Sequence, residues 1–149
     1  MYKKVRRMST IERGYLAGLI DGEGTITLTV KQKNARRHLA VTISSTERNI
    51  LEYAMKIIGV GKITTKITYK EQHSPSFTYQ VYSRQALDVL KQVFVHLQSY
   101  KKKRAQLALK HYVALTPRNG KYTKELLKKR KQFEESFLSI LPNDKHRTK

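Results

Sequence analysis

Apolar and polar positions alternate along this chain in two rhythms, and the change from one to the other marks out the elements. Ser9-Thr10-Ile11-Glu12 has the form of a capping box, with Ser9 as cap and Glu12 at the third helical position. It predicts a helix over residues 10–22, with Gly24 as its stop. The rhythm then shortens to two in TITLTVKQK. Ile26, Leu28 and Val30 face one way, and Thr25, Thr27, Thr29, Lys31 and Lys33 the other. NARR turns the chain, and HLAVTIS repeats the alternation with Leu39, Val41 and Ile43 inward.

Ser44 or Thr46 is the expected cap of a second helix, ERNILEYAMKII, closed by Gly59. KITTKITYK and SFTYQVYS read as a second hairpin around EQHSP. Ile63, Ile67, Phe77, Tyr79 and Val81 face inward there, with Thr65 and Tyr69 as further inward candidates. Ser83 is the expected cap of a third helix, RQALDVLKQVFVHLQ. YKKKRAQLALKHYVAL is a fourth, stopped by TPRNG, and YTKELLKKRKQFEESFLSIL a fifth, stopped by Pro142. The order is α-β-β-α-β-β-α followed by two further helices. It predicts an α+β fold: one four-stranded antiparallel sheet, helices packed on its oily face, extra C-terminal helices, and a polar face left bare. A length of 149 residues suits a single domain with its core over about residues 10–142. Residues 1–8 and 143–149 read as basic, flexible tails.

Charge changes the meaning of the bare face. Thirty-one Lys and Arg against eleven acids give a formal net charge of +20. Such self-repulsion points to a polyanionic partner, and each phosphate neutralised releases counterions. A sheet face of Thr, Lys, Arg, His, Gln and Tyr, with almost no acid, suits a duplex lying along it. The absence of Cys excludes disulfides and thiolate metal sites. No apolar run approaches the roughly 20 residues of a bilayer span, and the basic start MYKKVRRMS lacks the apolar core of a secretory signal. The expectation is an intracellular protein, in an organelle or a bacterial cytoplasm, with no membrane or small-molecule partner.

LAGLIDGEG, residues 16–24, poses the chemical question. Gly18 and Gly22 lie four apart on one helix face, each costing about 1 kcal/mol against Ala. Such a face admits the close approach of another backbone, either the same helix of a second copy or a bulky neighbour of the same chain. Glu23 ends the helix where the macrodipole is negative, so a carboxylate there calls for a compensating cation. Two such carboxylates, brought together by a two-fold axis beside phosphates, would suit a hard divalent metal. Asp21 projects to another side and is expected to brace the helix end.

LAGLIDGEG resembles the namesake motif of the LAGLIDADG homing endonucleases. Eight of its nine positions are identical or frequent variants, and Glu23 replaces Asp by the other carboxylate. The likeness extends through AVTISSTERNILEYAMKIIGVGKI and YKKKRAQLALK, and its single motif resembles the homodimeric branch. The resemblance implies that Glu23 is the metal-binding catalytic carboxylate, with Gly22 beside it at the metal. It implies Mg²⁺, with Mn²⁺ or Ca²⁺ able to occupy the site. It implies that Leu16, Gly18, Leu19 and Gly22 form the dimer interface, with Leu16, Leu19 and Ile20 packing within both the core and the interface. Lys101 matches the peripheral basic residue near the scissile phosphate, with Lys103 one register away. Where members carry a water-orienting Gln, this chain has Ile43, so Ser44, Ser45 or Thr46 is left to substitute.

The implied activity is site-specific hydrolysis of both strands of duplex DNA, at a long, nearly palindromic target, as in intron homing. Recognition would use Thr27, Thr29, Lys31, Lys33, Arg36, Arg37, His38, Ala40 and Thr42 from the first hairpin. Thr64, Lys66, Thr68, Lys70, Thr78, Gln80 and Tyr82 would come from the second, with Lys103 on the fourth helix. The basic run at residues 128–131 would touch backbone. The rival reading is a maturase or transcription factor on the same scaffold that binds nucleic acid without cutting it.

Overall fold

The computed structural model describes residues 2–30, 36–66 and 75–142. Helix α1 spans Thr10–Glu23, strands β1 and β2 span Gly24–Thr29 and His38–Ser45, and α2 spans Arg48–Ile58. Strands β3 and β4 cover Lys62–Lys66 and Ser76–Tyr82. Helix α3, Ser83–Val93, runs into a 3₁₀ turn, Phe94–His96, before α4 at Lys101–His111 and α5 at Lys124–Ser139. The strands form one antiparallel sheet in the order β1-β2-β4-β3, so each hairpin contributes its second strand to the centre. Thr25 pairs with Thr42, which pairs across with Gln80.

The helices lie on the face bearing Ile26, Leu28, Leu39, Val41, Ile43, Tyr79 and Val81, all buried. Leu16, Ala17 and Ile20 of α1, Leu51, Ala54 and Ile57 of α2, and Leu87 and Leu90 of α3 close over them. Burying each such aliphatic side chain stabilises by about 1.5–3 kcal/mol. Helix α5 adds Phe133 and Phe137 to the same core.

Two glycines are needed where they stand. A Cβ on Gly24 would sit 2.7 Å from the Ile20 Cα, so the strand can leave α1 this tightly only without a side chain. Gly61 has φ of 102° and packs against the ring of Tyr79, whose hydroxyl donates to the Val60 carbonyl at 2.6 Å.

Several local expectations are corrected. The Ser9–Glu12 capping box is present, but neither Ser44 nor Thr46 caps α2: Glu47 takes that position, and the Ser45 hydroxyl accepts from the Glu47 amide. Ser83 lies inside α3 at φ 55°, a left-handed conformation costing about 1–2 kcal/mol. Val30 and Thr65 are exposed, because β1 stops at Thr29 and edge strand β3 is covered only at Ile63. Ala40 points to the polar face yet is 1% exposed, since its methyl sits between the larger Thr27 and Tyr82 paired on either side. Leu16 is fully buried in the chain's own core and is not free to form an interface. Residues 2–8 are no loose tail: the Arg6 amide donates to the Ile58 carbonyl, the Met8 amide to Gln92, and Met8 is buried. Lys31, Lys33, Ile67, Thr68, Tyr69, Lys70 and the tail at 143–149 lie outside the described residues.

Candidate active site and nucleic-acid interface

Helix α1 delivers its last residue to one end of the sheet. Its carboxyl-terminal turn is held from outside by the segment between the 3₁₀ turn and α4. The Lys101 ammonium donates to the Ile20 carbonyl at 2.8 Å and the Asp21 carbonyl at 2.9 Å, satisfying acceptors a helix end leaves open. The Asp21 carboxylate accepts from the Gln98 amide, the Ser99 amide and the Ser99 hydroxyl, at 2.9, 3.1 and 2.5 Å. Burial works to raise the Asp21 pKa, but these bonds and the Lys101 charge hold it below the usual carboxylate value. Burial also lowers the Lys101 pKa, opposed by the charges of Asp21 and Glu23. Lys101 is 8% exposed and turned toward α1, whereas Lys103 is exposed on the same helix.

Glu23 is held by none of this. It is exposed, and among the described residues its carboxylate is tied only through the charge of Lys101. It lines a cleft of about 380 Å³ with Leu19, Ser44, Ser45, Thr46, Ile50 and Ser76. The three hydroxyl residues considered for orienting water therefore share a cleft with the carboxylate, while Ile43 is buried on the other face. Ser44 is bonded to Thr78 at 2.9 Å. The Glu23 carboxylate and the hydroxyls of its cleft are oxygen donors, which fits a hard divalent cation, while the Ile20 and Asp21 carbonyls are taken by Lys101. Among the described residues no group of three His, Cys, Asp or Glu comes together. One chain supplies one exposed carboxylate to this end.

The glycine face runs straight to it. A Cβ on Gly14, Gly18 or Gly22 would meet nothing within 4 Å. The described chain thus places no bulky neighbour over these glycines, and of the two occupants the sequence allowed, the same-chain one is absent among these residues. Leu19 is half-buried beside them. Ile11 and Tyr15 continue the same side of α1 at 83% and 44% exposure, and the Tyr15 ring stands edge-on to Tyr53 of α2 at 5.1 Å. Gly14 belongs to this face and escaped the sequence reading, although its spacing of four from Gly18 was there to see.

The opposite face of the sheet presents Thr25, Thr27, Thr29, His38, Thr42, Ser44, Thr64, Lys66, Thr78, Gln80 and Tyr82, with no acidic residue among the described strand residues. Lys62 pairs with Gln80 and joins this face, a position the alternation through Thr64 and Lys66 could have supplied. Gln80 donates to Thr64 at 2.9 Å and accepts from Tyr82, so part of the polar face is preorganised. Arg36 and Arg37 sit at the turn end of the first hairpin, just before β2. Arg36 lies over the Tyr122 ring at 3.9 Å, and Arg37 donates to the Leu28 carbonyl at 3.2 Å. No described helix is long and apolar enough to cross a membrane.

Residues 16–114 match the family model described as LAGLIDADG endonuclease. No curated protein sequence matches the chain. Among solved structures, the homing endonuclease I-CvuI, in complex with its target in the presence of calcium, superposes with a TM-score of 0.70. The identity is 19%, over 91% of this chain and 85% of that one. The archaeal intron-encoded homing endonuclease I-Vdi141I, complexed with DNA, gives 0.68 at 20% identity, over 88% and 84%. The LAGLIDADG homing endonuclease I-LtrWI, bound to target DNA, gives 0.65 at 14% identity, over 91% of this chain but 47% of that one. This chain therefore spans about half the length of the last and most of the first two.

Proposed function

The chain belongs to the LAGLIDADG endonuclease family, and from that premise we propose that it is a divalent-metal-dependent DNA endonuclease acting as a homodimer on a long, nearly palindromic duplex. The observation that carries this reading is a glycine face of α1 left bare by the described residues and ending in an exposed carboxylate that none of them hydrogen-bonds. A helix that gives up about 1 kcal/mol at each of three glycines, with none of the described residues above them, is shaped for another backbone. A second copy related by a two-fold axis presents the same face, through Gly18, Leu19 and Gly22, and brings a second Glu23 alongside the first. Solved relatives of the same fold carry DNA with calcium or magnesium, in accord with hard-cation chemistry here.

In this reading Glu23, with the Gly22 carbonyl, holds Mg²⁺, and Mn²⁺ or Ca²⁺ would occupy the same oxygens. The bound cation would supply an activated water and neutralise charge on the phosphodiester. Lys101 steadies the end of α1 and places positive charge beside Glu23, favouring the negative charge that grows on phosphorus-bound oxygen. Ser44, Ser45 and Thr46 order water in the Glu23 cleft. The outer sheet face enters the major groove, where Lys and Arg suit guanine, Gln suits adenine and the Thr methyl suits thymine. Lys103 and the exposed lysines of α5 touch backbone, whereas Arg130 of the basic run is buried and bonded to Glu134.

The deciding experiment is selection of cleaved sites from a random duplex library with Mg²⁺. A narrow set of two-fold symmetric sequences cut on both strands is expected. A chain that retards duplex in a gel and cuts none of it is instead a binding protein on the same scaffold.

A further inference from the structure

The outer end of the sheet, away from Glu23, opens into a groove that differs from every other concavity described. It has two adjoining lobes of about 630 and 300 Å³, joined around Thr116 and Pro117. His38 lines both lobes and Tyr82 lines the larger, and both residues belong to the outer face of the sheet, so the groove continues the surface a duplex would lie on. The larger lobe takes Lys3, Arg84 and Arg118, and the smaller takes Arg36. No acidic side chain lines either lobe. Three acids close to it are engaged: Glu134 accepts from Arg130 at 3.0 Å, Asp88 from the Tyr2 hydroxyl at 3.0 Å, and Glu52, which shares a neighbouring cleft with Lys3, from Arg48 at 2.9 Å.

Two of these four cations, Arg84 and Arg36, are held in place. Arg84 donates to the Thr116 carbonyl at 3.0 Å and so ties down the loop that carries Arg118. Arg36 lies flat on the Tyr122 ring, which fixes the guanidinium without consuming its donors. The first turn of α3 also lines the larger lobe, and its cap position, Tyr82, makes no side-chain cap bond. A groove lined by cationic donors, two of them fixed, beside the positive end of a helix suits phosphate oxygens. It is not where the bond is cut. Gly24 pairs with Ile43 and Thr29 with His38, so His38 stands five residues along the strand from the Glu23 end, about 17 Å at 3.4 Å per residue.

We propose that this groove grips the sugar–phosphate backbone of the duplex alongside the stretch read by the first hairpin, fixing the register of the DNA on the sheet without reading its sequence. The proposal rests on the duplex-binding reading above and adds the place where the backbone is held.

The test pairs a Lys3→Gln, Arg118→Gln double variant with duplexes carrying single neutral methylphosphonates, built on a site selected from the random library. Both side chains are exposed, and thermal unfolding of the variant checks that the fold is kept. For the wild type, neutralising one or two phosphates away from the cleaved bonds is expected to weaken binding about tenfold. The variant should bind the unmodified duplex about tenfold more weakly and lose its sensitivity at those phosphates. The slope of log K against log salt should fall by about 2. Wild-type sensitivity at every phosphate, with an unchanged slope, overturns the proposal while leaving the endonuclease reading intact. A variant that holds duplex normally but loses affinity for a structured RNA overturns it in favour of an RNA surface. A wild-type protein that binds no duplex at all overturns both readings. If the double variant does not fold, the wild-type methylphosphonate scan decides: a uniform profile along the duplex overturns the groove, and a localised one supports it.

Discussion

Glu12 and Glu23 are the same side chain at opposite ends of one helix, and the molecule treats them oppositely. Glu12 sits at the positive end of the α1 macrodipole. It accepts from the Ser9 amide at 2.8 Å and from Arg6 at 3.1 Å, and the Ser9 bond, ahead of the Arg6 charge, holds its pKa below the ordinary value. Glu23 sits at the negative end, exposed, with no hydrogen bond from any described residue, while its neighbour Asp21 receives three. The first carboxylate stabilises the helix it begins. The second is placed where a carboxylate is electrostatically disfavoured, and the glycines leading to it forgo helix propensity as well. Stability therefore accounts for Glu12 and leaves Glu23 to be explained by what it holds.

The comparison is broken or sharpened by substitutions along α1. The largest effect is expected from Glu23→Gln. Cleavage of a selected site with Mg²⁺ should fall at least about a thousandfold, the order lost with several kcal/mol of charge stabilisation. Gel-shift affinity should stay within about twofold, and the melting temperature should hold or rise. Cleavage persisting in this variant would remove Glu23 from the reaction.

Gly18→Leu comes next. Inside the described chain a side chain at Gly18 meets nothing within 4 Å, and helix propensity improves by about 1 kcal/mol. Thermal stability should be kept or gained, yet sedimentation should shift from dimer to monomer and double-strand cutting should drop about a hundredfold. A dimer that survives the leucine would place the interface elsewhere.

Lys101→Met removes two charged hydrogen bonds to the end of α1 and should destabilise the fold by about 2 kcal/mol, read by denaturant unfolding. The expected signature is lower stability together with slower cleavage. Slower cleavage at unchanged stability would mean that the ammonium acts on substrate alone.

Glu12→Gln is the smallest change and the counterpart to Glu23→Gln. Because the folded-state pKa of Glu12 lies below the ordinary value of 4.5, its contribution is fully present above that pH. It is lost as pH falls through the depressed value. Acid unfolding of the variant should begin from a lower baseline and show a shallower slope below about pH 4.5, with cleavage at neutral pH unaffected.

The elements were legible because their causes are local. The capping box at Ser9 and Glu12, the alternation through Ile26 and Leu28, and the left-handed stop at Gly59 each follow from neighbours a few residues apart. The antiparallel sheet followed from two such hairpins in succession. Errors gathered where a residue's surroundings come from elsewhere in the chain. Ala40 was read as a groove contact because its parity is outward, but the side chains across both neighbouring strands bury it. Leu16 is expected in both core and interface, and the structure puts it in the core alone, fully buried.

The sequence by itself determined a basic α+β chain with a glycine-faced helix ending in Glu23, since composition and spacing carry those features directly. Tertiary structure alone decided that no described residue covers the glycine face, that Lys101 turns to carbonyls some eighty residues away, and that cations from well-separated segments line one groove. The reason is physical. A side chain's partners are set by where the chain returns, and return distances depend on the packing of the whole core, which no short spacing records.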